Sequence, residues 1–127
     1  MAKFPNFNKR QQRQAIPDSS VPFTLANGET VDLVLSWRMI ERLRVTRDES
    51  YPELSKILVK GADDAMDNMR LLHAAYRCGY IVENGRVDGA MSYLDFIDLV
   101  PDDFGYVMKT VAALLDPKSN RDSEALS

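Results

Sequence analysis

The residue types that most often carry chemistry are scarce in this chain of 127 residues, which has one histidine, His73, and one cysteine, Cys78. The usual zinc sites take four ligands drawn largely from these two types, so they do not fit. The two residues could act as base and nucleophile only if their side chains met. They are five positions apart on one predicted helix, about 140° around its axis. We therefore expect a histidine at the edge of the core and a small buried thiol.

Phosphate-binding and calcium-binding patterns are also missing. The six glycines are each isolated, so neither nucleotide-binding fingerprint occurs. The acids Asp63, Asp64 and Asp67 lack the alternate spacing, the sixth-position glycine and the twelfth-position glutamate of an EF-hand. They suit the positive end of a helix dipole instead. The sequence thus predicts a non-enzymatic protein with no catalytic residue, no cofactor and no metal site.

Charge is distributed unevenly. The first 17 residues carry four bases, Lys3, Lys9, Arg10 and Arg13, and no acid, whereas the rest of the chain holds 12 bases and 19 acids. A duplex-DNA binder usually presents a basic face on its folded domain, so an acidic body makes nucleic acid an unexpected partner. Residues 1–20 are predicted to be a disordered basic arm. This arm is either a solubilising tail or an electrostatic contact for nucleic acid or an acidic partner.

The length predicts a single folded domain over residues 21–116, with a polar, disordered tail over residues 117–127. Residues 1–16 lack the apolar segment of a secretory signal, and no apolar run approaches the roughly 18 residues that a membrane span requires. We therefore expect neither standard export nor a membrane. A single cysteine fits a reducing cytoplasm.

The central residues predict a mainly α fold, in which a short N-terminal β-hairpin precedes about five helices in a compact bundle. Two runs of alternating apolar residues flank Asn27-Gly28, a strong hairpin signal because both residues tolerate positive φ. The runs are Val21, Phe23 and Leu25, then Val31, Leu33 and Leu35.

Capping residues and breakers place the helices. Ser36 is expected to cap a first helix that ends near Arg47, with Trp37, Met39, Ile40 and Leu43 on its buried side. A capping box of Ser50 and Glu53 opens the second helix, and Gly61 ends it. The third begins near Asp63 and ends at Gly79, before a loop over residues 80–91. Ser92 and Asp95 cap the fourth, which Pro101 breaks; Asp102 and Asp103 open the fifth, which ends at Asp116-Pro117.

The third helix is predicted to be central because it has two apolar strips. The second strip consists of Leu71, Ala75 and Cys78. It belongs to the core if another element covers it. If none does, it is a candidate surface for binding a partner's amphipathic helix.

Two stretches of opposite charge indicate a possible self-association. The first helix carries Arg38, Arg42, Arg44 and Arg47 against the single acid Glu41. Residues 87–108 contain no base; their acids are Asp88, Asp95, Asp98, Asp102 and Asp103. These faces are either solvated separately or meet, within the fold or between copies. A head-to-tail contact between copies gives a ring or an open filament. If so, Arg38→Glu combined with Arg42→Glu changes the oligomer mass.

Across residues 21–115 the helical core resembles the tail assembly chaperones of long-tailed bacteriophages. The matching residues are Trp37, Leu43, Tyr51, Leu54, Ile57, Leu58, Lys60, Gly61, Asp64, Asp67, Leu71, Leu72, Ala75, Tyr76, Tyr93, Phe96, Leu99, Pro101 and Asp102. A short hairpin leading into a helical body is similar to this family as well. The basic arm is a departure from the family's pattern.

The resemblance implies a chaperone of the host cytoplasm that is not part of the finished virion. Many copies coat the long, helical tape measure protein and keep it soluble until tail-tube subunits displace them. A fraction of such chaperones is extended by a programmed ribosomal frameshift, and this chain would correspond to the unextended form. Two other functions stay open: a small nucleic-acid-associated regulator that uses the basic arm and the arginine-rich first helix, or a structural adaptor.

Overall fold

A computed structural model describes residues 20–115 of the chain. Within this range a two-stranded antiparallel hairpin precedes five helices, so the predicted fold class, mainly α with an N-terminal hairpin, is confirmed. The predictions for the basic arm and the polar tail lie outside the described residues, except that Ser20, assigned to the arm, is the first residue of a strand. None of the helices between residues 20 and 115 is long and apolar enough to cross a membrane.

The hairpin consists of β1 (Ser20–Thr24) and β2 (Thr30–Val34), with Phe23 opposite Val31. The predicted turn is confirmed, since the backbone N–H of Gly28 donates to the carbonyl of Leu25. Alternation buries Phe23 and Leu33 completely. One sheet of two strands is marginal alone, so this apolar face is stabilised by the helices beneath it.

The next two helices are α1 (Trp37–Val45) and α2 (Tyr51–Lys60). Ser36 caps α1 as predicted, because its Oγ accepts from the N–H of Met39 at 3.3 Å. Trp37 does not join the buried side: it is the first residue of the helix and is 81% exposed. The predicted capping box of α2 is wrong as well. Ser50 makes no side-chain cap, because its hydroxyl donates to the carboxylate of Asp48 at 2.6 Å.

The central helix is α3 (Ala65–Asn84), and every residue from 71 to 79 is buried. It passes through Gly79, where the sequence predicted its end. A Cβ at this position would lie 2.0 Å from the carbonyl oxygen of Asp32, so glycine lets α3 pack directly against β2. The helix ends at Gly85, whose φ of 86° is the left-handed cap that glycine favours. The predicted loop over residues 80–91 is accordingly shorter.

The last two helices are α4 (Tyr93–Leu99) and α5 (Phe104–Leu115). Ser92 caps α4 as predicted, accepting from the N–H of Asp95 at 3.3 Å. Asp103 opens α5, with its Oδ1 accepting from the N–H of Tyr106 at 3.0 Å. The hydroxyl of Tyr106 in turn accepts from the N–H of Thr24, which ties α5 to the outer edge of β1.

Candidate helix-binding groove

The apolar strip that was a candidate partner surface lies inside the molecule. Leu71, Ala75 and Cys78 have no exposed surface, because β2 and the neighbouring helices pack around α3. The condition for a docking surface, that no other element covers the strip, is therefore not met. The alternative, that these three residues belong to the core, is confirmed.

The two charged faces are both at the surface. Arg38, Arg42, Arg44 and Arg47 are exposed, and so are Asp95, Asp98, Asp102 and Asp103. No ion pair joins the two sets within residues 20–115. Arg44 instead pairs with Glu41 on its own helix, and Arg42 donates to the carbonyl of Gly85. A contact between copies stays a prediction.

A buried ion pair that sequence reasoning missed lies beside the core. Asp48 and Arg77 are 6% and 7% exposed, and the guanidinium contacts both carboxylate oxygens, with Nε 2.9 Å from Oδ2 and Nη2 3.0 Å from Oδ1. The N–H and hydroxyl of Ser50 also donate to Oδ2. Burial alone raises the pKa of the Asp48 carboxyl, but these hydrogen bonds outweigh burial and hold the pKa below its usual value. The carboxylate is thus charged at neutral pH.

The backbone after α1 delivers Asp48 to this position. Arg47 adopts a left-handed conformation with φ 56°. Its N–H donates to the carbonyl of Arg44, and the N–H of Asp48 donates to that of Leu43. These two bonds form a Schellman motif, which usually has glycine at the left-handed residue. The turn reverses the chain and directs the carboxylate inward.

The same polar cluster holds the segment before α4. The carbonyl of Met91 accepts from Nη1 of Arg77 at 2.7 Å and lies 3.0 Å from Nε2 of His73, while the N–H of Met91 donates to the hydroxyl of Tyr76. A carbonyl only accepts, so the His73 proton is on Nε2, and Nδ1 has no partner among the described residues. Three side chains of α3 thereby fix where α4 begins.

The histidine and the cysteine do not meet in a reactive arrangement. Burial lowers the pKa of His73 below its usual value, although its bond to the Met91 carbonyl opposes the shift. Burial raises the pKa of the Cys78 thiol to about 12, so the thiolate is not accessible at neutral pH. His73 is surrounded by aromatic rings, with the ring of Tyr93 edge-on at 5.5 Å and that of Phe96 at 5.6 Å. Its surroundings are those of a core residue.

A surface groove between three helices is the feature that core packing does not explain. It has a volume of about 290 Å³ and is bounded by the start of α3, the end of α4 and the start of α5. Two of its large apolar side chains are more than half exposed, Met66 at 53% and Phe104 at 63%. The groove is lined by Met66, Met69, Ile97, Val100, Pro101, Asp102, Phe104 and Val107. Seven of these eight residues are apolar; we call this set the α3–α5 groove.

The groove is formed where α3 starts, α4 ends and α5 starts. Asp64 caps α3 by accepting from the N–H of Asp67 at 3.0 Å, which places Met66 in the first turn. Pro101 stops α4 and turns the chain into α5, whose first residue is Phe104. Sequence reasoning missed the groove because apolar spacing alone does not distinguish a packed side chain from an exposed one. A signal was nevertheless present in the sequence. A large apolar residue lies in the first turn of two helices that begin after an aspartate, Met66 in α3 and Phe104 in α5.

A second hollow, of about 330 Å³, lies where the start of β2 faces the end of α3. It is polar, and its lining includes the carboxylates of Glu29, Asp32 and Glu83. No group of three or more metal-ligating side chains is assembled anywhere in residues 20–115. Its lining combines these acids with Val31, Tyr76, Tyr80 and Met91, so it is less apolar than the α3–α5 groove.

No protein-family model, no curated protein and no solved structure matches this chain.

Proposed function

We propose that this protein is a non-enzymatic assembly chaperone of a long-tailed bacteriophage, whose α3–α5 groove binds amphipathic helices of the tape measure protein. The observation that carries the proposal is the exposure of Met66 and Phe104 at the mouth of an apolar groove between helices. Large apolar side chains gathered in one exposed place mark partner sites in soluble proteins. A groove between helices accepts the apolar face of another helix.

The core supports a binding function rather than a catalytic one. The only histidine is enclosed by aromatic rings, and the only cysteine is fully buried. The buried charges of Asp48 and Arg77 neutralise each other and are not accessible to a substrate. These four side chains thus contribute to the packing of the fold, and the exposed groove is the surface that a partner can reach.

Coating a long helical protein requires many copies that each bind a short stretch. A groove of about 290 Å³ lies at the lower end of the range of roughly 300–1,000 Å³ that small-molecule pockets span. It therefore holds one or two anchoring side chains of a helix. Such weak single contacts suit a chaperone that tail-tube subunits later displace in the host cytoplasm, and neighbouring copies can add strength through avidity.

Co-expression with the longest helical protein encoded next to this gene tests the proposal. We expect a soluble complex with many copies of this chain per partner, measured by pull-down and mass determination. Phe104→Ser should release the partner, whereas Leu94→Ser, which removes a 71%-exposed side chain outside the groove, should not. An insoluble partner beside a free monomer of this chain would refute the chaperone function. Binding of nucleic acid that falls steeply with salt would then favour the regulator.

A further inference from the structure

The walls of the α3–α5 groove indicate which helices it accepts. Resting on the proposed function, we infer that the groove selects amphipathic helices whose apolar stripe is bordered by lysine or arginine, and that it tolerates variation within the stripe. The first part of the inference comes from the charge at the groove's border, and the second from its methionines.

The border of the groove is acidic. Asp102 lines it, and the exposed acid Asp98 follows the lining residue Ile97 in the chain. None of the eight lining residues is a base. A bound helix with basic residues beside its apolar stripe would therefore gain attraction, whereas an acidic one would be repelled.

The bases closest to the groove in sequence are engaged or directed elsewhere. Arg70 follows Met69, but its guanidinium carbon lies 3.7 Å from the centre of the Tyr93 ring in a cation–π contact. Lys109 lines a different hollow on α5, together with Asp103, Gly105, Tyr106 and Met108. No ion pair within residues 20–115 includes Asp98 or Asp102, so these two acids are not neutralised by a neighbouring base.

Methionine makes the lining of the groove adaptable. Met66 and Met69 are unbranched and polarizable, so they can repack around side chains of different shape, as methionine does on other surfaces that bind many partners. A chaperone that binds successive stretches of one long protein meets a different sequence at each stretch. Adaptable apolar contacts combined with a fixed charge border would let one groove serve all of them.

The test uses the full chain and two synthetic helical peptides of about 20 residues, each spanning about 30 Å. Both carry the same leucine stripe and a fluorophore, but lysine borders the stripe in one and glutamate in the other. Fluorescence anisotropy at about 0.1 M salt should show at least about tenfold tighter binding of the lysine peptide. At about 1 M salt, where the Debye length shortens from about 10 Å to 3 Å, this preference should shrink.

Charge reversal at the border is the decisive variant. Asp98→Lys with Asp102→Lys changes two exposed acids whose side chains make no hydrogen bond within residues 20–115, and it should abolish or reverse the preference. Glu29→Lys with Asp88→Lys makes the same change in net charge away from the groove and should retain it. Equal binding of the two peptides, or equal loss of the preference in both double variants, would overturn the inference.

The outcomes separate this inference from the proposed function. If the tape measure protein is still recovered in a soluble complex but neither peptide binds, the charge selection is wrong and the chaperone function stands. Binding of the lysine peptide that survives Phe104→Ser would also overturn the inference, since the peptide would then lie outside the groove. Loss of that binding in Phe104→Ser but not in Leu94→Ser would support it.

Discussion

The polar cluster around Asp48 and the α3–α5 groove show opposite departures from the ordinary distribution of residues. In the cluster two charged side chains are enclosed beside the core, whereas in the groove a phenylalanine and a methionine are more than half exposed. Both regions lie along the same helix, since Arg77 is in the middle of α3 and Met66 in its first turn. Buried polar groups and exposed apolar patches are the informative exceptions in a folded protein.

The two regions differ in whether their unusual side chains have partners within the protein. Each oxygen of the Asp48 carboxylate has a donor, and the guanidinium of Arg77 also reaches the carbonyl of Met91. The ion pair is therefore satisfied within the fold, and it joins the α1–α2 turn, α3 and the start of α4. The groove leaves apolar surface in water, which a partner would remove. The cluster therefore contributes to the fold, whereas the groove is the surface that we propose binds a partner.

The largest loss of unfolding free energy is expected for Arg77→Met, in the cluster. The substitution leaves the Asp48 carboxylate buried with only Ser50 as donor, and breaking a buried pair in this way costs about 3–5 kcal/mol. Urea denaturation measures this loss of unfolding free energy. Combining the change with Asp48→Asn removes the stranded charge, so the double variant should lose less than the sum of the two single changes. Strict additivity would show that the two groups do not stabilise each other.

The next largest loss of stability is expected for a substitution at Gly79, where α3 meets β2. Gly79→Ala places a Cβ 2.0 Å from the carbonyl oxygen of Asp32, so a backbone segment must shift at a cost of about 1–3 kcal/mol. Gly105→Ala is the matched control in α5, because its Cβ would meet only the Asp103 carboxylate at an ordinary 3.5 Å. That control should be neutral or gain up to about 1 kcal/mol from helix propensity. Equal thermal midpoints of the two variants would contradict the close approach.

A smaller effect is expected on the pH dependence of stability, which arises from titrating groups in the cluster and not from the groove. Burial lowers the pKa of His73 in the folded state, so below about pH 7 the unfolded chain takes up a proton that the folded chain resists. Stability should therefore fall between about pH 7 and 5, whereas the lowered pKa of Asp48 adds a further loss only below about pH 4. His73→Gln should flatten the first window and leave the second. Urea midpoints across this range provide the measurement, and an unchanged profile in the variant would exclude His73 as the titrating group.

The smallest effect on stability is expected in the groove. Phe104→Ser removes a side chain that is 63% exposed, so the free energy of unfolding should change by no more than about 0.5 kcal/mol. The same variant should lose the helical partner, which would separate binding from folding. A loss of stability as large as that of Gly79→Ala would mean that Phe104 is part of the core, and the comparison between the two regions would fail.

Local signals in the sequence were sufficient for most elements of the fold. Asn27-Gly28 marks the hairpin turn, Ser36 and Ser92 cap their helices, and Pro101 separates the last two. Each of these acts through backbone geometry within a few residues. The errors arose where a distant contact changed the role of a residue: Gly79 was interpreted as a helix end because its neighbour Asp32 is 47 positions away in the chain.

The candidate site was less predictable than the fold. Hydrophobic periodicity marked Leu71, Ala75 and Cys78 as a possible partner surface, but periodicity does not reveal which apolar strip another element will cover. Nor does it reveal that Phe104 is exposed, because an apolar residue at a helix start has the same spacing whether it is packed or exposed. The charged side chains of the two predicted faces, on α1 and within residues 95–103, are exposed, since burying an unpaired charge is costly.

By itself the sequence determined the element types, the helix starts capped by Ser36, Ser92 and Asp103, and the central position of α3, because these depend on apolar period and on backbone preferences of nearby residues. Only the tertiary structure decided that Asp48 and Arg77 are paired, that Met91 is held by three side chains of α3, and that Met66 and Phe104 form the mouth of a groove. Burial and partnership are properties of pairs of residues far apart in the chain. They arise when the helices pack, and no local pattern contains them.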